Sequence, residues 1–485
     1  MSSRLKGIIA GAVVLLALVG VLIWVMLLPS EEEKQDTDSE ASQQMSSLIY
    51  DKNPQDIATL SVDNEYGSYK IERLSQGLYT ILDYAYIPLD STRVQQMLDN
   101  AASITVQQTV LENADELSKY GLDKPRATVS VSFGEDGKDV KEFIIGNETP
   151  IEGKSYFAFK GEKTVYTIND DAFQLYLQDK AVCFEDTVYT QYQPKDKNDT
   201  TNYKKINKIT IKRKDLDSDM VIEYDDRKAD TDMTVANIVA YKMIEPIKVN
   251  LDSRTCRKVT EDVFGLTAAK VIAVAPNDEQ LAEYGLTDPF AKVTMDIPTG
   301  DFAMIIGNEY VNEAEGISGR YCVVKGINLV YVFNNDSLSW ATVKPLDIIV
   351  KKLTNNDIST VSSIEFDDGN KITKITVTGD SEENLTAKID GKDIDSALFN
   401  NFYKFIISGN AEEIYTEDTD AKADFTVIVK SQAGTDTIEF IPSENRKTIV
   451  RINGKVSFKC QTAFADRLKE NLELVRDGQS IVTSY

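Results

Sequence analysis

Apolar and polar residues alternate with period two along much of the chain. Val129, Val131 and Phe133 alternate with Ser130 and Ser132, and Val293, Met295 and Ile297 with Thr294 and Asp296. Such alternation predicts strands with one buried face. Gly134 to Gly137 reads as a turn, Phe143 to Ile145 as the return strand, and Tyr156–Phe159 with Val165–Ile168 as a further hairpin. Strand pairs recur upstream of similar patterns: Ile57–Val62 with Tyr69–Ile71, Ile206–Ile211 with Met220–Ile222, and Val361–Phe366 with Ile372–Val377. Each pair is followed by a stretch read as helical, Ser91–Ser103, Met233–Met243 and Asp395–Ile407, and Phe464–Glu473 reads as a last helix. Phe425–Val429, Thr437–Phe440 and Ile449–Ile452 complete a third meander. The pattern predicts an α+β fold: tandem repeated units of antiparallel sheet with short helices.

The repetition extends to residue identity. Leu117-Ser118-Lys119-Tyr120-Gly121-Leu122-Asp123-Lys124-Pro125 returns as Leu281-Ala282-Glu283-Tyr284-Gly285-Leu286-Thr287-Asp288-Pro289. Phe143-Ile144-Ile145-Gly146-Asn147-Glu148 returns as Met304-Ile305-Ile306-Gly307-Asn308-Glu309, and Tyr156–Gly161 as Tyr321–Gly326. Several landmarks in one order indicate a duplicated folding unit. Asn113 with Glu116, and Asn277 with Gln280, resemble capping boxes that open short helices ending at Tyr120 and Tyr284. Gly121 and Gly285 stand where the chain needs a left-handed residue, Leu122 and Leu286 where a Schellman stop makes its apolar contact, and Pro125 and Pro289 where no helix can continue. The Tyr-Gly-Leu block therefore reads as a helix stop rather than a ligand surface. The third unit lacks it.

The N-terminus changes the picture. Ile8–Leu28 carries no charged residue; at about 1.5 Å rise per residue it spans roughly 31 Å, the thickness of a bilayer core. Arg4 and Lys6 precede it and Glu31, Glu32 and Glu33 follow, so the expectation is a single-pass signal anchor with Met1 in the cytoplasm and the bulk of the chain extracytoplasmic. Met26-Leu27-Leu28-Pro29 is not a small-x-small cleavage site, and no nearby cysteine offers a lipid anchor. Gly7 and Gly11 have the spacing of a weak helix-pairing motif. Ser30–Ser47 is rich in Glu, Asp, Gln and Ser and reads as a disordered tether. The expected organisation is a cytoplasmic tip and anchor at 1–29, an acidic tether at 30–50, and α+β units at 51–200, 201–350 and 351–485, the last one diverged.

Composition narrows the chemistry. The formal net charge of −25 argues against nucleic-acid partners and adhesion to anionic lipid. The 485 residues include no histidine, which removes Ser-His and Cys-His nucleophile pairs and histidine metal ligands. Cys183, Cys256, Cys322 and Cys460 fit no metal or redox spacing; Cys322 stands where Phe157 stands in the first copy and reads as a core residue, while a long-range disulfide stays open. Asp215, Asp217 and Asp219, with Asp226 twelfth, begin like a calcium loop, but Met220 occupies the position that needs glycine, so the run reads as a charged hairpin turn. No catalytic, cofactor-binding or metal residues are assigned. Tyr84, Tyr86 and Tyr189 are candidate stacking aromatics.

The blocks Glu-Leu-Ser-Lys-Tyr-Gly-Leu-Asp-Lys-Pro and Phe-Ile-Ile-Gly-Asn-Glu-Thr-Pro, with Val165-Tyr166 after them, resemble those of a bacterial family described as domain of unknown function 4340. The resemblance covers both full copies and reaches the third by topology only. It implies an N-terminally membrane-anchored accessory protein of the cell envelope, of the kind often encoded beside ABC-type export permeases and gliding-type components, with no established catalytic residues. The expected function is thus a non-enzymatic extracytoplasmic accessory to an ABC-type exporter or similar envelope complex; the alternative is an envelope or cell-wall ligand-binding module.

Overall fold

In the computed structural model the residues described are 46–75, 77–189, 206–224, 238–297, 300–379, 381 and 384–485. The expected anchor and nearly all of the expected tether lie outside them, as do Asp226 and residues 233–237. Among the described residues no helix is long and apolar enough to cross a membrane.

From Leu48 to Tyr485 the chain is one compact unit containing three large antiparallel sheets. The first third supplies β1 (Ser47–Asp51), β2 (Ile57–Asn64), β3 (Gly67–Ser75), β4 (Leu78–Ile81), α1 (Ser91–Ala102), β5 (Ser103–Val106), β6 (Gln108–Leu111), β7 (Ala127–Phe133), β8 (Asp139–Glu148), β9 (Lys154–Phe159) and β10 (Val165–Asn169). The second supplies β11 (Thr187–Tyr189), β12 (Lys208–Arg213), β13 (Met220–Tyr224), β14 (Ile238–Glu245), β15 (Val249–Asp252), β16 (Leu266–Thr267), β17 (Lys270–Val274), α2 (Asp278–Glu283), β18 (Ala291–Ile297), β19 (Gly300–Asn312), β20 (Ile317–Val324) and β21 (Leu329–Asn334). The third supplies β22 (Val361–Asp367), β23 (Ile372–Thr378), β24 (Thr386–Ile389), β25 (Lys392–Ile394), α3 (Ser396–Ile406), β26 (Glu413–Ile414), β27 (Phe425–Ser431), β28 (Gly434–Pro442), β29 (Lys447–Ile452), β30 (Lys455–Gln461) and α4 (Thr462–Arg476).

The strand orders are β4-β3-β2-β7-β8-β9-β10-β6, β15-β14-β13-β12-β18-β19-β20-β21-β17 and β25-β24-β23-β22-β27-β28-β29-β30-β26. One topology is thus written three times. An opening meander leads away from the first strand, the chain crosses to the far edge, and it then returns to pair beside that first strand and runs as a four-strand meander out to the far-edge strand. The central pairings β2–β7, β12–β18 and β22–β27 are equivalent. A recurring link joins the units. β11, at the exit of the first unit, pairs with β16 ahead of the far-edge strand of the second. Lys352, at the exit of the second, bridges Asn410 ahead of β26. β1 pairs with β5 in the corresponding place of the first unit.

β1 corrects the tether. Residues 47–50, expected to be disordered, form a strand, because Ile49 and Tyr50 pack on the core and Tyr50 meets Phe159 at 5.9 Å between ring centroids. The helix expected over Met233–Met243 is also corrected: its described part is β14. Val239, Tyr241 and Met243 alternate with Ala240 and Lys242, which is strand periodicity, and β-branched and aromatic residues suit a pleated surface. The other three helices form where expected. Asp90 caps α1 by accepting from the backbone N–H groups of Thr92 and Arg93, and Asp395 caps α3 through that of Leu398.

One face of each sheet contributes to a main core of buried side chains that extends from Ile57 to Val475. The opposite face carries a small satellite core in each unit. Ala114, Leu122, Ile144, Ala158 and Val165 form the first; Ala273, Leu286 and Val330 the second; Ile441, Ile449 and Val456 the third. The first two satellites, which hold Leu122 and Leu286, locate the repeated motif.

Candidate functional site

The duplicated blocks meet in space. In the first unit Leu117–Tyr120 is a single 3-10 turn, and Gly121 ends it with φ 69°. Leu122 N–H donates to the Leu117 carbonyl at 3.1 Å and Gly121 N–H to that of Ser118 at 3.2 Å. In the second unit α2 ends at Tyr284, Gly285 has φ 70°, and Leu286 N–H donates to the Leu281 carbonyl at 2.8 Å. Both are Schellman-like stops, with Leu122 and Leu286 buried in their satellites.

The second block explains why it travels with the first. The β8–β9 register shifts between Ile145 and Glu148, and the β19–β20 register shifts between Ile306 and Glu309. Gly146 and Gly307 lie in these bulges, against the helix stops. A Cβ on Gly146 would overlap the Tyr120 carbonyl oxygen, and one on Gly307 that of Tyr284. In return Asn147 and Asn308 fill the space beside Gly121 and Gly285. Asn308 N–H donates to the Tyr284 carbonyl at 2.9 Å and its Nδ2 to that of Glu283 at 3.1 Å. The tyrosines close the lid: Tyr120 meets Tyr156 edge-to-face at 4.9 Å, and Tyr284 stacks on Tyr321 at 4.6 Å. The two blocks form a clasp that holds the helix stop over the outer face of the sheet.

A guanidinium completes each clasp from a different strand. Arg126, just ahead of β7, donates from Nε to the Gly146 carbonyl at 2.8 Å and from Nη1 to Glu148 at 3.0 Å; its Nη2 reaches Ser155 Oγ at 2.5 Å. In the second copy the position of Arg126 is taken by Phe290 and that of Ser155 by Arg320. Arg320 donates to the Gly307 carbonyl at 3.0 Å and to Glu309 at 2.8 Å, and its guanidinium lies 4.0 Å from the Phe290 ring centroid. The arginine has changed strand but serves the same two acceptors. Arg320→Ser alone should cost the second unit about 1–2 kcal/mol, read from denaturation midpoints. Phe290→Arg added to it should recover most of that loss.

The capping expectation holds in one copy only. Asn277 and Gln280 exchange the two bonds of a capping box, at 2.8 and 3.0 Å. Asn113 caps nothing: Ala114 N–H is tied to the Lys163 carbonyl, so no helix starts at Asn113, and the turn at Leu117–Tyr120 follows Glu116 without a side-chain cap. Asn277→Ala should cost about 1 kcal/mol, and Asn113→Ala should leave the midpoint unchanged.

Other candidate residues have local partners. Asp215 makes a two-point pair with Arg213 at 2.8 Å on both oxygens, and Asp219 pairs with Lys212 at 2.8 Å. Met220 is buried in the core. The hydrogen bond from Arg213 holds the Asp215 carboxyl below its ordinary value. Among the described residues no group of three or more Cys, Asp and Glu could hold a metal ion. All four cysteines are buried and free, so no disulfide forms among them. Burial pushes the Cys183 and Cys460 thiols up to about 12, that of Cys256 to about 11, and raises that of Cys322. They are therefore poor nucleophiles. Cys322 sits in the core opposite Ile306, as Phe157 sits opposite Ile145.

Tyr84 is half-buried, edge-on to Phe184 at 5.9 Å. Tyr86 is 67% exposed and its hydroxyl accepts from Asn328 Nδ2 at 3.2 Å, a contact between the first and second units. Tyr189 lies on β11, at the unit link. The three stand at separate places in the fold. Two surface clefts, of about 570 Å³ along the outer face of α1 and about 410 Å³ lined by Thr255, Lys258, Ser339, Thr342, Val343, Lys344, Asp347 and Ile348, are open, with polar and apolar surface mixed in both. Neither gathers a catalytic pair. Sequence reasoning missed the Arg126/Arg320 exchange, although Phe290 and Ser155 at the aligned positions were its signal.

No curated protein and no solved structure matches the chain. One family model does, described as Domain of unknown function (DUF4340), at residues 80–242 and 241–426. Each match starts within the strand that ends the three-strand opening meander, β4 or β14, and runs into the next unit, so the family period is offset from the sheets. The two matches together cover 80–426 of the 485 residues, and the chain belongs to the DUF4340 family.

Proposed function

We propose that this protein is a membrane-anchored, extracytoplasmic, non-enzymatic accessory component of an envelope complex, an ABC-type exporter being the leading candidate. The observation that supports the reading most is the fate of the repeated motif. Its tyrosines, glycines, asparagines and arginines are engaged with one another in the clasp, so the most distinctive residues of the repeat build a scaffold. The histidine-free sequence and the buried, deactivated thiols agree with a protein that positions something rather than transforms it. The charge-free stretch Ile8–Leu28, flanked by Arg4 and Lys6 on one side and three glutamates on the other, supports an uncleaved anchor with the sheets outside.

The test is crosslinking in intact cells, followed by identification of what is joined to the full chain. Repeated recovery of a membrane protein of an export complex is the expected result. Recovery of wall polymer alone would replace this reading with that of a ligand-binding module. Turnover of an envelope substrate, abolished by changing one acidic residue in a folded protein, would replace it with an enzyme.

A further inference from the structure

The chain that crosses each sheet is built differently in the second unit. Between the opening meander and the far-edge strand, the first unit runs a helix of 12 residues, α1, and the third one of 11, α3. The second unit has a single turn of 4 residues there, Arg257–Thr260. Beside that turn lies the cleft of about 410 Å³, its other wall made by the short helices Ser339–Thr342 and Pro345–Ile348. A bridge from Leu251 to Ile349 ties the two walls together. Their charge is opposite to that of the chain. Residues 248–258 and 344–352 hold seven Lys and Arg and two Asp, in a chain with 53 basic and 78 acidic residues. The matching bridge of the first unit, Leu89 to Phe184, stands among Asp90, Asp179, Glu185 and Asp186, with Arg93 and Lys180.

We propose that this cleft binds a phosphate group. The nearby acids are already engaged. Glu261 pairs with Arg257 at 2.9 Å, Asp347 with Lys351 at 3.6 Å and Asp252 with Arg254 at 3.9 Å, while Asp215, which feels the charge of Lys344, is held by Arg213. Lys258 and Lys344 line the cleft and have no ion-pair partner among the described residues. The hydroxyls of Thr255 and Ser339 beside them have no hydrogen-bond partner there either, whereas that of Thr342 donates to the Leu338 carbonyl at 3.2 Å. No arginine fork lines the cleft, which disfavours a planar carboxylate as its ligand. Ammonium groups act on phosphate as point charges, and the several oxygens of a phosphate can take donors from both walls. A chain this acidic repels anions over most of its surface, so a locally basic concavity is where one can be held. The volume is that of a small-molecule site. Free phosphate and a phospholipid headgroup share this chemistry. The site does not depend on an exporter partner.

The test is limited acylation of lysines on the full chain in neutral detergent, read residue by residue by mass spectrometry, in sodium phosphate against sodium chloride of equal ionic strength. Lys292 and Lys455, exposed and unpaired elsewhere on the chain, are the references. Phosphate should slow the modification of Lys258 and Lys344 and leave the references unchanged. Where it does, Lys344→Gln should raise the phosphate concentration that half-protects Lys258 about threefold, the scale of one exposed charge contact. A second arm reconstitutes the full chain in vesicles of phosphatidylcholine alone or mixed with phosphatidylglycerol, without added phosphate. Selective protection in the mixed vesicles assigns the phosphate group to a lipid headgroup, and protection by free phosphate alone assigns it to a solute. No selective protection of Lys258 and Lys344 in either arm would overturn the proposal. So would equal protection of Lys292 and Lys455, which would be ionic screening, or a half-protecting concentration that Lys344→Gln leaves unchanged.

Discussion

Gly146→Val and Gly307→Val should each destabilise the chain by about 3 kcal/mol or more, the upper range for overpacking against a fixed neighbour. The neighbour here is the backbone carbonyl of Tyr120 or Tyr284, which is held by the helix stop and cannot rotate away. Relief requires lifting the whole turn, which uncovers the satellite core and breaks the guanidinium bonds to the glycine carbonyls. Gly285→Val should cost less, at least about 1 kcal/mol, because the neighbours it meets are the side-chain atoms of Asn308, which can move, while Gly121→Val also meets the Asn147 backbone nitrogen and should cost more than Gly285→Val; the positive φ remains as a fixed penalty in both. Gly153→Ala is the control. Its φ is 77° and nothing lies near its Cβ position, so it should show the φ penalty alone. Denaturant midpoints followed by near-ultraviolet circular dichroism give the comparison. Equal midpoints for Gly146→Val and Gly153→Ala would remove the clasp from the account.

Arg213→Met should cost about 2–3 kcal/mol, the scale for leaving two carbonyls in a largely buried site without their charged donor, the half-exposed Asp215 adding little. The Arg213 side chain is 1% exposed, and its Nη1 donates to the carbonyls of Ala341 and Val343 at 3.0 and 2.6 Å. Methionine fills the space but leaves both carbonyls without that donor. The variant should also respond differently to acid. Arg213 depresses the folded pKa of Asp215, so the stabilisation from that pair is fully present above the ordinary aspartate pKa. It is lost as pH falls through the depressed folded value. The stability gap between wild type and variant should therefore narrow below the ordinary aspartate range. A gap constant with pH would assign the loss to the two carbonyls alone.

Much of the fold was legible because its signals are local. Alternation marked β7 and β18, and glycine before leucine marked the two left-handed stops. Helical stretches marked α1 and α3, though their capping aspartates, Asp90 and Asp395, were not singled out. What was not legible depends on contacts far apart in sequence. β14 was read as helix because its apolar residues also satisfy a loose helical spacing, and its strand periodicity is decided by pairing with β13 and β15. β1 was read as tether because a strand of five residues has no signal of its own until β5 is placed beside it. Asn113 and Asn277 look equivalent in sequence, yet the bond from Ala114 to Lys163, across the hairpin, denies the first its cap. The clasp was half legible. The glycines of both blocks could be seen to recur, but that Gly146 makes room for the Tyr120 carbonyl needed both blocks in one place. The exchange of Arg126 for Arg320 left its trace at the aligned pairs Arg126/Phe290 and Ser155/Arg320, but its meaning lies in the shared acceptors, which sequence alone does not show.

The claim on which this account rests is that the repeated blocks are architectural and act alike in both copies. Hydrogen exchange on the native full chain tests it at the amides of Leu122, Leu286 and Asn308, which donate to the carbonyls of Leu117, Leu281 and Tyr284. If the clasps are closed, all three should be protected to a degree similar to the neighbouring strands β8 and β19. Exchange at the rate of an open loop at these amides, while β8 and β19 stay protected, would contradict it.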